Sequence, residues 1–258
     1  TMRILLIRHG DPDYVNDTLT EKGRHEAALL AKRAVSMNMG ECYKSPLGRA
    51  QDTAAPCLEA TGKTAEILDW LQEFPAQVDL NKNPELEKAY PDVKKEGEYF
   101  LPRIAWDMVP GYWTEHEAYM DKNTWRETEV AKNSDLVEVY DHVIEEFDRF
   151  LAEHGYVREG AHYRVEKESD ETVTFFCHFG ISCVLLSHLW NVSPFVLWHC
   201  LALAPTSVTE VVTEEREQGT AYFRGLKVGD ISHLYAGGEE PSFAARFCET
   251  YSNKEQRH

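Results

Sequence analysis

Arg3 to Ile7 is a short apolar run that ends in Arg8-His9-Gly10, the pattern of a buried strand passing into a loop. Asp11 to Asp17 is turn-rich. Thr20 then stands as the N-cap of a helix with the apolar stripe Ala27, Leu30, Ala31 and Ala34. Glu41 to Lys44 reads as a weak strand. Ser45-Pro46 predicts an N-cap followed by proline in the first helical position, opening a helix through Ala50, Ala54 and Leu58 that stops at Gly62. Thr64 to Leu68 is another short strand. Over residues 79–133 the periodicity fails, and Pro84, Pro91, Pro102 and Pro110 alternate with many aromatics. A structureless stretch of that length is rare inside a compact domain, so short helices forming an insertion or lid are expected there. Ser134 caps a clear helix through Leu136, Val139, Tyr140, Val143, Phe147, Phe150 and Leu151 that ends at Gly155. Val173 to Cys177 is the most buried-looking strand, Gly180 to Trp190 is the helix after it, and Val208–Thr213 and Ala221–Leu226 are the last two strands. The alternation predicts an α/β fold, a three-layer α/β/α sandwich with a largely parallel central sheet and a mostly helical inserted lid.

Composition narrows the function. Of 258 residues 43% are hydrophobic, enough for a sizeable core, and whole-chain disorder is excluded. Lys and Arg number 27 against 44 Asp and Glu, a formal charge of −17 that repels nucleic acid and anionic membranes, so neither partner is expected. An anionic substrate would need a local cluster of Arg and His to overcome that field. The six cysteines, at positions 42, 57, 177, 183, 200 and 248, form no CxxC pair and read as buried thiols in a reducing cytosol. Ile4 to Ile7 is too short for a secretion signal, and a cytoplasmic location is expected. Between Glu171 and Glu210 no charged residue occurs, yet His178, His188, Asn191, Pro194, His199 and Pro205 interrupt the stretch, so it reads as the buried centre of a soluble domain.

The chemistry gathers at strand ends. Arg8-His9-Gly10 lies just past the C-terminal end of its strand, the edge where open α/β sheets bind ligands, and His178 stands in an equivalent place. Arg49 falls in the first turn of the Ser45-Pro46 helix, where free N–H groups and the helix dipole also favour an anion. Two Arg, two His and a helix N-terminus converging on one tetrahedral dianion is what phosphoryl transfer needs.

Leu6-Ile7-Arg8-His9-Gly10, then Leu19-Thr20 with Gly23 and Ala27, then Ser45-Pro46-Leu47-Gly48-Arg49-Ala50-Gln51-Asp52-Thr53-Ala54, resembles the histidine phosphatase superfamily, the phosphoglycerate mutase-like group. The late strand-His-x-Gly at His178 completes the pattern. The resemblance covers the N-terminal third and the surroundings of His178, and it implies one domain over residues 1–258 with 79–133 inserted. It implies that His9 is the nucleophile, forming a phosphohistidine that water hydrolyses. It also implies that Arg8 and Arg49 grip the phosphoryl oxygens and that His178 is a further, cationic donor. Phe179 would lie beside it at the phosphate-binding edge, and Gly10 would let the backbone approach the phosphate. The family draws its general acid from a carboxylate after the third strand in a Leu-x-Glu context, which Leu71-Gln72-Glu73 fits; Glu66 and Asp69 are the neighbouring candidates. Relatives that use an acid directly after the second histidine have no counterpart here, since Phe179 occupies that place.

Departures from the mutases favour hydrolysis. Where mutases show Glu-Ser and Trp-Asn pairs this chain has Asp11-Pro12 and Tyr14-Val15, and Glu73 is followed by Phe74-Pro75-Ala76-Gln77 rather than by a glycine-rich, basic run. The expected activity is therefore that of a histidine acid-type phosphatase acting on a small phosphate monoester. A phosphoglycerate-type phosphomutase and a non-catalytic phosphoryl sensor are the alternatives. No Cys-x5-Arg, P-loop, GxGxxG or GxSxG occurs. Arg8 and Arg49 would repel a cation from His9 and His178, so neither metal nor cofactor is implied. Trp106, Tyr112, Trp113, Tyr119 and Trp125 would form a small core of the insertion, a wall over the leaving group with Arg103 or Arg126 reaching an anionic tail, or the surface of a homodimer.

Overall fold

Alternate residues of the first strand, β1 (Arg3–Arg8), face two different cores: Ile4 and Leu6 join one, Leu5 and Ile7 the other. A strand covered on both faces needs apolar side chains toward both, which is why Ile4 to Ile7 and Phe175 to Cys177 are unbroken apolar runs. The computed structural model describes residues 1–244, 250–253 and 255; Cys248 lies outside the described residues. The remaining strands of the sheet are β2 (Glu41–Lys44), β3 (Ala65–Ile67), β4 (Tyr156–Glu159), β5 (His162–Val165), β6 (Thr172–Cys177), β7 (Val208–Glu217) and β8 (Thr220–Asp230). Their order is β4-β5-β8-β7-β1-β6-β2-β3.

The sheet has two characters. β1, β6, β2 and β3 run parallel, as the strand-helix alternation predicts. The other half is antiparallel, because β4–β5 and β7–β8 are hairpins. Their two-residue turns place Gly160 and Gly219 at φ 63 and 80, where a glycine is favoured. Helices α1 (Glu21–Ala34) and α2 (Gly48–Thr61) cover one face through Leu30, Ala31, Ala54 and Cys57. Helices α3 (Leu136–Glu153) and α4 (Phe179–Trp190) cover the other through Phe147, Leu151, Val184 and Leu185. This is the three-layer α/β/α arrangement. A further helix, α5 (Pro194–Cys200), follows α4.

The segment 79–133 is built from single 3-10 or α turns, such as Pro84–Lys88 and Glu129–Lys132, and two-residue ribbons rather than full helices. Its rings do not form a core of their own. Trp106, Trp113, Tyr119 and Trp125 are buried in the cluster that holds Phe175 and Val184, so they are not offered to a second copy of the chain. Each such ring contributes roughly 2–3 kcal/mol of burial. Cys42, Cys57, Cys177 and Cys183 are buried thiols, whereas Cys200 is exposed. Among the described residues no helix is long and apolar enough to cross a membrane.

Candidate active site

β1 and β6 end side by side, Arg8 opposite Cys177, and the His9 N–H donates to the Cys177 carbonyl at 3.1 Å. His9 and His178 therefore leave the same sheet edge, with ring centroids 5.2 Å apart. From the other side, the N–H of Thr206 donates to the carbonyls of both Arg8 (3.0 Å) and His9 (3.1 Å). Thr206 does so in the left-handed region at φ 64, strain that persists only because the surroundings enforce it.

The tautomer of His9 follows from its partner. Nδ1 lies 2.7 Å from the Gly10 carbonyl, which only accepts, so Nδ1 carries the proton and Nε2 keeps its lone pair. Burial holds the His9 pKa well below its ordinary value, and Arg8, His178 and Arg49 push in the same direction. The ring is neutral at physiological pH. Gly10 supports this arrangement through its N–H and its lack of a side chain. Its N–H donates to Thr53 Oγ1 at 2.9 Å, and a Cβ there would meet the Gly23 carbonyl oxygen at 2.8 Å. The glycine is needed for contact with α1.

His178 is buried, its Nε2 2.7 Å from Ser45 Oγ. Ser45 Oγ accepts the Leu47 N–H at 3.1 Å and has its own proton to give to Nε2, and in that tautomer the histidine proton sits on Nδ1. Nδ1 is buried and has no partner within the protein. Burial, Arg49 and Arg8 all lower the His178 pKa far below its usual value. Burial first, and the two guanidiniums after it, favour a neutral N–H donor here. The ring of Phe179 packs in the core, so only its backbone faces the sheet edge.

Ser45-Pro46 precedes the helix instead of capping it. α2 begins at Gly48 with no side-chain cap from Leu47, and the cap comes from Asp17. Its carboxylate accepts from the N–H of Gly48 (2.6 Å) and of Arg49 (3.4 Å) and from Arg49 Nη1 (2.8 Å). The anion held at this helix N-terminus is therefore internal. Arg8 Nη1 donates to the carbonyls of Leu203 (2.7 Å) and Ala244 (3.3 Å). Tyr14 touches both cations, with a hydrogen bond to Arg8 and its ring 5.1 Å from Arg49 Cζ. Arg8 Nε and Arg49 Nε, like His178 Nδ1, are buried without a partner. Three buried donors around a neutral histidine form a cradle of the kind a phosphoryl group fills.

Glu73 closes the cradle. Its Oε1 accepts from the N–H of Phe74 (2.8 Å) and Ile181 (2.9 Å), and its Oε2 from Gly180 at 3.2 Å. It caps α4 just past His178. Burial raises its pKa, while those N–H groups and Arg8 oppose the rise. A Cβ on Gly180 would meet the Trp106 ring at 2.5 Å and Glu73 Oε1 at 2.6 Å, so glycine is required for the acid to reach the site. Glu66 and Asp69 are exposed elsewhere. Arg103 is consumed by Asp92 and by the carbonyls of Ile104, Trp106 and Asp107, and Arg126 by Asp141; neither reaches toward His9. Cys177 is a core thiol pushed up to about 12 by burial. The one His-carboxylate grouping of metal-ligand spacing among the described residues is Glu41, His154 and Glu171, at the opposite edge of the sheet.

Asp17, Tyr14, Thr53 and Thr206 are the site residues that sequence reasoning missed. The Ser45-Pro46 signal pointed to the right place for another reason.

Known proteins are similar in these same parts. Residues 4–103 match the model of the histidine phosphatase superfamily (branch 1). A probable phosphatase of Schizosaccharomyces pombe is 24% identical over 247 residues, 90% of this chain and 95% of that one. Among solved structures, a phosphoserine phosphatase mutant from Entamoeba histolytica in complex with phosphoserine superposes with a TM-score of 0.57 at 16% identity, covering 91% of this chain and all of that one. The mycobacterial glucosyl-3-phosphoglycerate phosphatase gives 0.55 at 17% identity, covering 87% and 97%. His9, Arg49 and Glu73 all lie inside the segment that matches the histidine phosphatase superfamily model, and the fold of these solved structures is shared along most of this chain.

Proposed function

We propose that this chain hydrolyses a small phosphate monoester through a phosphohistidine on His9. The observation that carries the reading is the locked tautomer of His9, whose neutral Nε2 stands beside three buried, unpaired donors. Nε2 attacks phosphorus, the ester P–O bond breaks, and the leaving oxygen takes the proton of Glu73. Water then attacks the phosphohistidine, its proton passes to the Glu73 carboxylate, and inorganic phosphate leaves with His9 restored. Glu73 Oε2, with a single long N–H contact at 3.2 Å, is the oxygen free to carry that proton. Arg8, Arg49 and His178 Nδ1 hold the equatorial oxygens as charge develops on them.

Hydrolysis is favoured over mutase chemistry because a mutase must retain a doubly anionic intermediate. Arg103, in the loop whose Trp106 packs beside Glu73, has its donors committed to Asp92 and to backbone carbonyls. The phosphatase names of the fission-yeast relative and of the structural neighbours agree with this reading. The test is hydrolysis of an activated aryl phosphate with chelator present. Wild type is expected to turn over and His9→Ala to lose at least about a thousandfold, the scale of removing a nucleophile. Phosphate or vanadate binding by wild type without turnover would move the assignment to a sensor.

A further inference from the structure

Resting on that reading of the site, we propose that Asp107 selects phosphate monoesters whose leaving group carries a cation, such as an ammonium group. Asp107 follows Trp106, whose ring packs over Gly180 beside the Glu73 carboxyl, so this turn lies where the leaving group must emerge. The Asp107 carboxyl is within electrostatic reach of Glu73 and of Cys183, one turn into α4 from Gly180. It is half-buried, and it makes no hydrogen bond or ion pair among the described residues.

That solitude is notable because a guanidinium is close by. Arg103 holds the loop by its carbonyls, Ile104 O at 3.0 Å, Trp106 O at 3.1 Å and Asp107 O at 3.4 Å, and spends its other contacts on the Asp92 carboxylate at 3.2 and 3.3 Å. The cation that would neutralise Asp107 is thus committed elsewhere. Residue 107 sits at φ 66, a region that aspartate tolerates better than most side chains. An unpaired carboxylate at this turn suits an ammonium group and repels a carboxylate-bearing ester, while the Trp106 ring beside it in the chain is packed against Phe74 and Trp198. Burial lifts Asp107 to about 7; Arg103 opposes the rise, and Asp92 and Glu73 add to it. A bound cation would be paired with a carboxylate that water solvates poorly, and it would be worth more than a surface ion pair.

The test compares three esters that differ only in the far end of the leaving group: 2-aminoethyl phosphate, ethyl phosphate and 2-carboxyethyl phosphate. At pH 8 the wild type is expected to prefer the amine over the neutral ester by about tenfold or more in kcat/KM, with the carboxylate ester slowest. Asp107→Asn should bring the three together. A measurement on wild type alone guards against a misfolded variant: the amine-to-ethyl ratio should rise from pH 5.5 to 8 as Asp107 ionises while the amine stays protonated. A ratio that responds neither to pH nor to the substitution overturns the role of Asp107. Failure of wild type to hydrolyse even an aryl phosphate would overturn the phosphatase reading beneath it, and the two failures are thereby distinct.

Discussion

Glu73 accepts three N–H bonds, which favour a carboxylate, and yet its burial pushes the pKa upward. An acid poised in this way matters most when the leaving group is a poor one. Glu73→Gln is expected to slow alkyl phosphates by about a hundredfold or more and nitrophenyl phosphate much less; equal losses for both would remove Glu73 from the role. For alkyl esters the wild-type rate should fall as pH rises through the raised Glu73 pKa, a limb that Glu73→Gln should lack. Arg8, His9, Arg49, Glu73 and His178 were legible because motif spacing ties each one to a strand end or to the helix start. Asp17 and Tyr14 were not, since each acts across a turn whose path only the tertiary fold determines. The burial of His178 beside both arginines was not legible for a similar reason. Sequence shows two arginines, but not that both lie beside a buried imidazole.

Both helices that point at the site have carboxylates at their N-termini, Asp17 on α2 and Glu73 on α4. The helix dipoles thus hold protein side chains, and under the proposed function affinity for a phosphoryl group would fall to the guanidiniums and His178. Asp17→Asn keeps a residue that tolerates φ 48 but offers one acceptor oxygen where there were two. A stability loss of about 1 kcal/mol is expected from the weakened cap. The drop in kcat/KM should be larger, because Arg49 loses its tether; denaturant midpoints and steady-state kinetics on one preparation would separate the two. Most elements were readable from periodicity, including the parallel half of the sheet. The β4–β5 hairpin was missed, since Tyr156–Glu159 and His162–Val165 are four-residue strands rich in charge. The 79–133 segment was expected to form short helices with a small core of their own, whereas its rings pack into the main core, a partnership that no local pattern records.

Across the molecule, the loop after His9 is braced by a buried acid. Glu26 on α1 accepts the Asp11 N–H at 2.7 Å, and burial lifts its pKa from 4.5 to about 7. A carboxyl that is harder to ionise in the folded state costs nothing below the unfolded pKa. Its penalty grows as pH climbs from about 4.5 to 7, and it stays constant above that. Glu26→Gln, which retains an acceptor oxygen, should therefore match wild type at pH 4 and exceed it at pH 8, by up to roughly 3 kcal/mol; thermal unfolding at the two pH values would show it. Contacts to the site also span the whole chain. Arg8 leans on the carbonyls of Leu203 and Ala244, and Ser242 bonds to Asp11. During synthesis the histidine motif is made 195 and 236 residues ahead of the two carbonyls that orient its arginine. A growing chain therefore carries His9 long before Arg8 is held in place beside it.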